Sequence, residues 1–363
     1  MPLIHIKNNT YSYNKLSEIE ISTDSDFINS TLTFCKKWID KTNSFTIKTS
    51  GSTGKPKKIT LDRSQLKLSA KLTLEYLQLS SSDHFLVCLN TKVVAGIMML
   101  VRAMETNATI TVINPQGNPL KLLASDTTCN FTALVPLQLE NILSSKNEKD
   151  LAILNNMKAV LIGGGPVNIE LQKQIENLEC PVYHTYGMTE TVSHIALKKL
   201  NKPDKSDYFQ TLPGIEIKTD ERGCLMIKAV VTQNKWISTN DRVELVDQKQ
   251  FKWLGRIDFV INSGGIKIQA EVLEQKLDKL FKQNGIYNLF FITGLPDKKL
   301  GETVSLVIEG EFPSDINLEL FKKHLQQVCE KYEAPRKYFF VEKFDFTTSG
   351  KVDRKAIIQR LPD

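Results

Sequence analysis

Apolar, β-branched runs alternate with amphipathic stretches over the first half of the chain. The runs HFLVCL, ATITVI, FTALVP, MKAVLIG and PVYHTYG predict strands. Between them, apolar residues recur at helical spacing in VVAGIMMLVRAM, PLKLLAS, LQLENILSS and NIELQKQIENL. Because parallel strands need crossover connections of this length, the order predicts a mainly parallel sheet with helices between its strands.

The pattern of apolar and polar residues is weaker before the first of these strands and helices. Residues 1–44 are polar and predict only a helix near Asp26–Trp38, where Ile28, Leu32 and Cys35 are helically spaced. Strands are predicted at Phe45–Lys48 and in KKITL, followed by an amphipathic helix at Arg63–Leu79.

The pattern changes after Thr191. The short runs SHIALKKL, GIEIKTD, GCLMIKA and DRVELVDQKQFKWLG, separated by turn residues, predict antiparallel strands. Beyond Gly255, the helical segments AEVLEQKLDKLF and NLELFKKHLQQVCEKY mix with strands in NLFFITGL, ETVSLVIEG and RKYFFVEKF. The sequence therefore predicts an α/β fold. A large N-terminal domain (1–255) has a mainly parallel sheet and a small antiparallel subdomain, and a hinge (256–258) leads to a small mobile α+β domain (259–363).

Composition narrows the class of protein. Hydrophobic residues make up 41% and charged residues 24%, as in a globular chain with a core. The net charge of +6 would suit an anionic small-molecule substrate as well as it would suit nucleic acid. The lysines are scattered along the chain, which disfavours nucleic acid. No run approaches ~18 apolar residues, so no membrane span is expected. The six cysteines form no CxxC pair, and the N-terminus lacks a signal-peptide pattern, so buried free thiols in a cytoplasmic protein are expected.

The segment TSGSTGKPKK resembles a phosphate-binding loop but lacks Walker spacing, and it lies between two predicted strands. Its glycines let the backbone approach an oxyanion, its hydroxyls can donate hydrogen bonds, and its lysines add charge. The alternative is a flexible polar hairpin turn. The candidate residues are Thr49, Ser50, Gly51, Ser52, Thr53, Gly54, Lys55 and Lys57.

Two further clusters end predicted strands, where open α/β sheets bind ligands. LIGGGPVN supplies a glycine triplet, Gly163–Gly165, with a tight βα turn as the alternative. In YHTYGMTET, Tyr186 could stack on a base, Thr189 could bind phosphate and Glu190 could hold Mg²⁺. The alternative for this cluster is a strand end with a solvated glutamate.

Three candidates lie in the second half of the chain. Asp241 in ISTNDRVEL could accept ribose hydroxyls, although a β-turn is the ordinary explanation. Arg256 and Asp258 in GRIDFVINSGGIKI lie at the predicted domain boundary and could fix an interdomain arrangement, or form a surface ion pair in a linker. Lys351 in TTSGKVDRKAI lies in a glycine-containing loop, where a solubilising lysine is the alternative.

These segments, taken together and in this order, resemble the acyl-adenylate-forming superfamily of acyl-CoA synthetases, peptide-synthetase adenylation domains and luciferases. The resemblance runs from about Thr49 to Lys355 and rests on TSGSTGKPK, YGMTET, GRIDFVINSGGIKI and SGKVDR. Within the superfamily, YGMTETVSHIALKK and INSGGIKIQAEVLE look most like the o-succinylbenzoate–CoA ligases of menaquinone biosynthesis.

The resemblance implies a two-step reaction with ATP, Mg²⁺ and coenzyme A. A substrate carboxylate attacks the α-phosphorus of ATP to give acyl-AMP and pyrophosphate, and the coenzyme A thiol then attacks the acyl carbon. Three alternatives stay open: another aryl- or fatty-acyl-CoA ligase, a stand-alone adenylation enzyme that loads a carrier protein, and a nucleotide-binding sensor without activity.

The resemblance also assigns roles to residues by position. The 49–57 loop would hold the β- and γ-phosphates, and Lys351 would bridge the attacking carboxylate and the α-phosphate. The other implied ATP, Mg²⁺, hinge and coenzyme A residues are Gly163, Gly164 and Gly165 (adenine and acyl pocket), Tyr186 (adenine), Gly187 (ATP or AMP), Thr189 (α-phosphate), Glu190 (Mg²⁺), Asp241 and Arg256 (ribose), Asp258 (hinge), and Gly264, Gly265 and Lys267 (coenzyme A).

The acyl pocket is implied by the segment CLNTKVVAGIMMLVRAM, where Lys92 is a candidate counter-ion for a second substrate carboxylate and Arg102 follows on the helix. The alternative for Lys92 is a surface lysine. Met188, Ser193 and His194 are expected to face the same pocket.

The chain departs from the superfamily pattern in two places. The region before the phosphate loop is short, so a pocket wall contributed by a second subunit, and hence a homodimer, is an expectation. In addition, Asn240 stands where the usual Thr-Gly-Asp pattern has glycine.

Overall fold

The computed structural model describes residues 2–7, 9–21, 23–48, 58–124, 127–314, 316–346 and 352–362. The predicted phosphate loop, Thr49–Lys57, and Lys351 lie outside these ranges. The chain forms two compact units. The larger holds the residues up to Glu216 and the segment Ile227–Ile237, and the smaller holds Ile217–Met226 and the residues from Ser238 onward.

The larger unit contains a sheet of mainly parallel strands. The elements up to its last strand are β1 (Leu3–Ile6), β2 (Asn9–Ser12), α1 (Asp26–Ile39), β3 (Ser44–Lys48), β4 (Lys58–Asp62), α2 (Arg63–Tyr76), β5 (His84–Val87), α3 (Val94–Glu105), β6 (Thr109–Val112), β7 (Phe131–Leu134), α4 (Pro136–Ser144), α5 (Glu148–Asn155), β8 (Ala159–Ile162), α6 (Ile169–Ile175), β9 (Val182–Met188), β10 (Ser193–Lys199) and β11 (Phe209–Thr211). Within the sheet the order is β2-β1-β6-β5-β7-β8-β9-β10-β11. The pairs from β1 to β9 are parallel, and the outer pairs are antiparallel.

The central strands are continuous apolar runs because both faces of the sheet are covered. Leu86, Val160 and Val182 pack with side chains of α4, α5 and α6 in one buried cluster. Side chains alternate across a strand, so Phe85 points to the opposite face, where it packs edge-on against Phe131 with ring centroids 4.9 Å apart.

The structure corrects three local predictions. The segment expected to be weakly structured supplies β1, which buries Ile4 and Ile6 beside β6. The predicted helix in PLKLLAS is only a short 3-10 helix, Pro119–Leu122. Leu122 is exposed, so the apolar residues do not form one buried face along which a longer helix would pack. A further helix, α5, was not predicted; the Asn147 side chain caps it by accepting a hydrogen bond from the Asp150 amide.

Strands β3 and β4 form a separate antiparallel hairpin, and the predicted phosphate loop joins them along the chain. Phe45 of this hairpin packs against Phe34 and Trp38 of α1. The Arg63 guanidinium lies 4.0 Å from the Trp38 ring centroid and donates to the Trp38 carbonyl oxygen. The short N-terminal region thus anchors the hairpin that carries the loop.

The smaller unit is built largely from the C-terminal part of the chain. Its elements are β12 (Glu216–Thr219), β13 (Cys224–Lys228), β14 (Ile237–Leu245), β15 (Gln250–Arg256), β16 (Val260–Ser263), β17 (Ile266–Gln269), α7 (Ala270–Gln283), β18 (Phe290–Asp297), β19 (Gly301–Glu309), α8 (Leu318–Val328), β20 (Lys337–Val341) and α9 (Arg354–Gln359). Strands β16–β20 form one sheet, and α7 and α8 bury Leu277 and Phe321 in its core. The predicted α/β class is confirmed, whereas the predicted domain boundary at 255–259 stays a prediction.

The structure also bears on two compositional expectations. All six cysteines are free and buried, as predicted. In the part of the chain that the structure describes, no helix is both long enough and apolar enough to cross a membrane.

Candidate active site

The structure places the glycine triplet beside the YGMTET segment. Strands β8 and β9 are parallel, so Gly163–Gly165 and Tyr186–Met188 lie at the same edge of the sheet. A Cβ on Gly163 would lie 2.3 Å from the Thr185 hydroxyl, and Gly164 has a φ of +82°, so both positions favour glycine. The Tyr186 ring lies 5.7 Å from the Phe209 ring, centroid to centroid.

His184 joins the same strand end to the glycine triplet. Burial, together with the charge of Lys198, lowers the pKa of His184 to about 4. The imidazole is therefore neutral at physiological pH, and its Nε2 lies 3.2 Å from the Gly165 carbonyl oxygen, to which an Nε2–H donates. This contact holds the glycine backbone against β9.

Thr189 and Glu190 lie at the tip of the β9–β10 hairpin in a short 3-10 turn, where the Glu190 side chain is exposed. The buried Thr191 hydroxyl holds this turn: it accepts from the Met188 amide at 3.0 Å and lies 2.8 Å from the Ser193 carbonyl oxygen. Val192 follows with a φ of +64°, an unfavourable conformation for a β-branched residue. The tip is therefore a fixed and locally strained structure.

Gly187 makes this hairpin possible because it lies directly opposite His194. A Cβ on Gly187 would lie 2.1 Å from the Ser193 carbonyl oxygen and 2.5 Å from the His194 Cα, and backbone atoms cannot rotate away.

The variant Gly187→Ala is expected to lose about 3 kcal/mol of unfolding free energy, because the two strands must separate to accept the methyl group. Urea denaturation measures this loss. Gly165→Ala is the matched control, since its Cβ would meet only Pro136 side-chain carbons at 3.7 and 3.9 Å. Equal unfolding midpoints for the two variants would contradict the close approach.

A buried arginine lies behind the hairpin. Arg102 is only 2% exposed, although its helix α3 is otherwise apolar up to Glu105 at its last position. One terminal nitrogen donates to the Ser193 hydroxyl at 3.1 Å and lies 3.4 Å from His194 Nδ1. Its Nε has no hydrogen-bond partner among the described residues, and burial alone lowers its pKa to about 9. A buried cation therefore meets neutral groups on this hairpin.

The contacts of His194 fix its protonation. Arg102 can only donate, so His194 Nδ1 must accept, and Nε2–H then donates to the Thr73 hydroxyl at 3.0 Å. Burial, and then the charge of Arg102, lower the pKa of His194 well below its ordinary value. His194 is therefore neutral, and it does not balance the arginine charge.

Lys92 lies elsewhere in the larger unit. Its ammonium pairs with Asp26 at the start of α1, and both side chains are largely exposed, at 48% and 85%. Its predicted role as the counter-ion of a second substrate carboxylate stays a prediction.

In the smaller unit, the predicted ribose and hinge residues form one network. Asp241 and Arg256 face each other across β14 and β15, with a guanidinium nitrogen 3.6 Å from an Asp241 oxygen. The Trp253 indole donates to the same oxygen at 3.1 Å. Arg256 also pairs with Asp258. Burial by itself would lower the pKa of Arg256. The nearby carboxylates of Asp241 and Asp258 have the larger combined effect, so the pKa of Arg256 is raised.

The predicted coenzyme A segment is a tight hairpin turn between β16 and β17. Gly264 and Gly265 have φ values of +61° and +83°, as a two-residue turn of this kind requires. Lys267 lies on β17 and is exposed. The structure thus groups the predicted residues in three places: the β8–β10 edge, the Asp241–Asp258 network and the Gly264–Lys267 turn.

The structure adds two candidate residues to those that the sequence patterns predict. The motifs give Arg102 no role of its own, yet a single arginine in VVAGIMMLVRAM is the signal of a buried cation. Thr191 lies within TET and was not distinguished from its neighbours, because only the folded turn shows which hydroxyl points inward.

Comparison with known proteins defines the class. Residues 10–227, more than half of the chain, match the family described as AMP-binding enzyme, and the chain therefore belongs to that family. The class predicted from the sequence, an AMP-forming acid–CoA ligase, is confirmed.

Three relatives show the range of similarity. The 2-succinylbenzoate–CoA ligase of Lactococcus lactis is 27% identical over 327 residues, which span 85% of this chain and 69% of that protein. A Dyadobacter fermentans structure, described as an acyl-CoA synthetase (AMP-forming)/AMP-acid ligase II-like protein, is 40% identical with a TM-score of 0.62 and covers 95% of this chain and 97% of its own. The o-succinylbenzoate CoA synthetase of Bacillus subtilis, solved with the acyl-adenylate OSB-AMP, is 21% identical with a TM-score of 0.70. The match spans 86% of this chain and 68% of that one, and this similarity supports the fold.

Proposed function

We propose that this protein is an ATP- and CoA-dependent ligase that activates 2-succinylbenzoate through an acyl-AMP intermediate, as in menaquinone biosynthesis. The observation that carries the proposal is Arg102, a buried cation beside the β9–β10 hairpin with no described carboxylate to balance it. The names of several relatives support the same substrate.

A buried guanidinium without an anion is costly, because the low-dielectric interior does not replace its hydration. A substrate with a second carboxylate would supply the missing charge, and the planar guanidinium suits a carboxylate geometrically. A fatty acid or a simple aromatic acid has no group to place there. The substrate class that fits Arg102 is therefore a dicarboxylic acid.

The location of Arg102 suits this role. Its partners Ser193 and His194 begin β10, and Thr189 and Glu190 precede them on the same hairpin. One carboxylate could bind Arg102 while the other reaches the reacting end near Thr189. We prefer Arg102 to Lys92 because Lys92 already pairs with Asp26 on the exposed surface.

The remaining roles follow the superfamily resemblance and are part of the proposal. Glu190 and Thr189 offer the carboxylate and hydroxyl oxygens that Mg²⁺ and phosphate prefer, and bound Mg²⁺ would neutralise phosphate charge. Lys351 and the 49–57 loop lie outside the described residues; their proposed roles are to neutralise the attacking carboxylate and hold the departing pyrophosphate. Asp241 and Arg256 would bind ribose, Asp258 would be the hinge, and the Gly264–Lys267 turn would serve coenzyme A.

The test is AMP release with ATP and coenzyme A across a panel of acids: 2-succinylbenzoate, benzoate, malonate and a fatty acid. We expect kcat/KM to be highest for 2-succinylbenzoate, and we expect no AMP release from the Lys351→Ala control. A higher kcat/KM for benzoate or for the fatty acid would contradict the proposed substrate. Acyl-AMP formation without thioester formation on coenzyme A would favour the carrier-loading alternative.

A further inference from the structure

Asn240 departs from the superfamily pattern and contacts the predicted hinge. It stands on β14 immediately before Asp241, where the resembling sequences have glycine. Its amide nitrogen donates to Asp258 Oδ1 at 2.9 Å. The other Asp258 oxygen, Oδ2, accepts from Arg256. A glycine would leave the Asp258 carboxylate with a hydrogen bond from Arg256 alone among the described residues, whereas this chain holds both of its oxygens.

A second arginine orients the Asn240 amide. Arg222 donates to Asn240 Oδ1 at 3.2 Å, which assigns the oxygen to Arg222 and the nitrogen to Asp258. Arg222 is itself fixed, because it donates to Asp220 at 2.8 and 3.0 Å and to the Thr239 carbonyl oxygen at 3.0 Å. Ser238 also accepts from Arg222, at 3.2 Å, but makes no described contact with Asp258.

The backbone around Asp258 is held by separate bonds. The Arg256 amide donates to Glu271 Oε1 at 3.2 Å, and the Gln269 side chain donates to the Arg256 carbonyl oxygen at 2.7 Å. After the short turn Ile257–Phe259, the Val260 amide donates to the Ile257 carbonyl oxygen. Any rotation at Asp258 must carry its carboxylate away from Asn240, since that carboxylate cannot follow a changed backbone while both oxygens stay bound.

We propose that Asn240 is a positioning residue that holds Asp258 in the orientation seen here and thereby sets how readily the chain turns at that residue between the two half-reactions. The inference rests on the proposed function, because it assigns a role to the hinge of a two-step ligase. A hydrogen bond from a neutral donor to a partly exposed carboxylate should favour the held orientation about 3- to 10-fold.

The first readout needs no activity. In the free full-length protein, hydrogen-exchange mass spectrometry should show about 3- to 10-fold faster exchange for the segment 256–260 in Asn240→Ala than in the unchanged protein. Asn240→Asp keeps acceptors for Arg222, loses the donor and adds a negative charge beside Asp258, so its exchange should be at least as fast. Ser238→Ala is the matched control: it loses contacts to Arg222 and Asp220 but none to Asp258, and its exchange should be unchanged.

The second readout separates positioning from a general structural role. ATP–pyrophosphate exchange reports the first half-reaction, and coenzyme A-dependent AMP release reports both. Asn240→Ala should change the ratio of these two rates by about 3- to 10-fold and leave the KM for ATP unchanged. Unchanged exchange in Asn240→Ala, an equal increase in Ser238→Ala, or an unchanged ratio would overturn the proposal. If the unchanged protein forms no thioester, the proposed function fails, and the exchange readout alone decides whether Asn240 holds Asp258.

Discussion

In the variant Arg102→Met, we expect kcat/KM for 2-succinylbenzoate to fall about 10²- to 10³-fold, because the second substrate carboxylate would be buried without its cation. Methionine fills a similar elongated space without charge, and Met99 and Met104 already lie on the same helix. The loss should appear mainly in KM, since the cation binds a part of the acid that does not react. Steady-state AMP release measures it.

Two controls make this result specific. Lys92→Met removes the other candidate cation and should leave kcat/KM within about twofold of the unchanged protein, because a surface ion pair contributes little. Any residual turnover of benzoate should not fall in Arg102→Met, since a monocarboxylate does not use the cation. The reverse pattern, with Lys92→Met impaired and Arg102→Met active, would assign the counter-ion to Lys92.

The same substitution should not unfold the protein. Removing a buried charge that lacks a described carboxylate relieves a desolvation cost, so the thermal midpoint of Arg102→Met should equal or exceed that of the unchanged protein. Arg102→Lys keeps a charge, but a lysine donates as a compact point charge and cannot reproduce the planar guanidinium contacts. It should recover only part of the lost kcat/KM.

Breaking the Glu274–Arg354 pair is expected to destabilise the smaller unit by about 3–5 kcal/mol, because it leaves one charge largely buried and unpaired. Two Arg354 nitrogens each lie 2.8 Å from a Glu274 oxygen, and Glu274 also accepts from the Ile292 amide at 2.7 Å. The guanidinium lies 4.6 Å from the Phe259 ring centroid. Urea denaturation of Glu274→Ala and of Arg354→Ala measures the loss.

A double variant tests whether pairing or charge burial dominates. Burial raises the pKa of Glu274 despite the neighbouring arginine, so the pair does not fully offset its own desolvation. Glu274→Met with Arg354→Met should therefore be more stable than either alanine variant. Additive losses would contradict this account. Because Arg354 begins α9 three residues after Lys351, a stable double variant with slow acyl-AMP formation would indicate that the pair also positions the lysine segment.

The sequence by itself determined the regular parts of the fold. Continuous apolar runs such as HFLVCL and MKAVLIG predicted buried parallel strands, because only strands covered on both faces are apolar at every position. Gly187 and the Gly163–Gly165 triplet also marked the ends of predicted strands, where open α/β sheets bind ligands, because glycines that follow apolar runs are visible in the sequence itself. The family followed from the order of these segments.

The tertiary structure alone decided which distant side chains meet. Arg102 contacts Ser193 and His194 because α3 packs against β10, and no local pattern encodes that contact. LIHI is too short to predict a strand from its pattern alone. It forms β1 because it pairs with the edge of β6, and this pairing buries Ile4. Asn240 reaches Asp258 because β14 and β15 pair with Asp241 opposite Arg256. Such contacts depend on the packing of whole elements, whereas periodicity and turn chemistry act within a few residues.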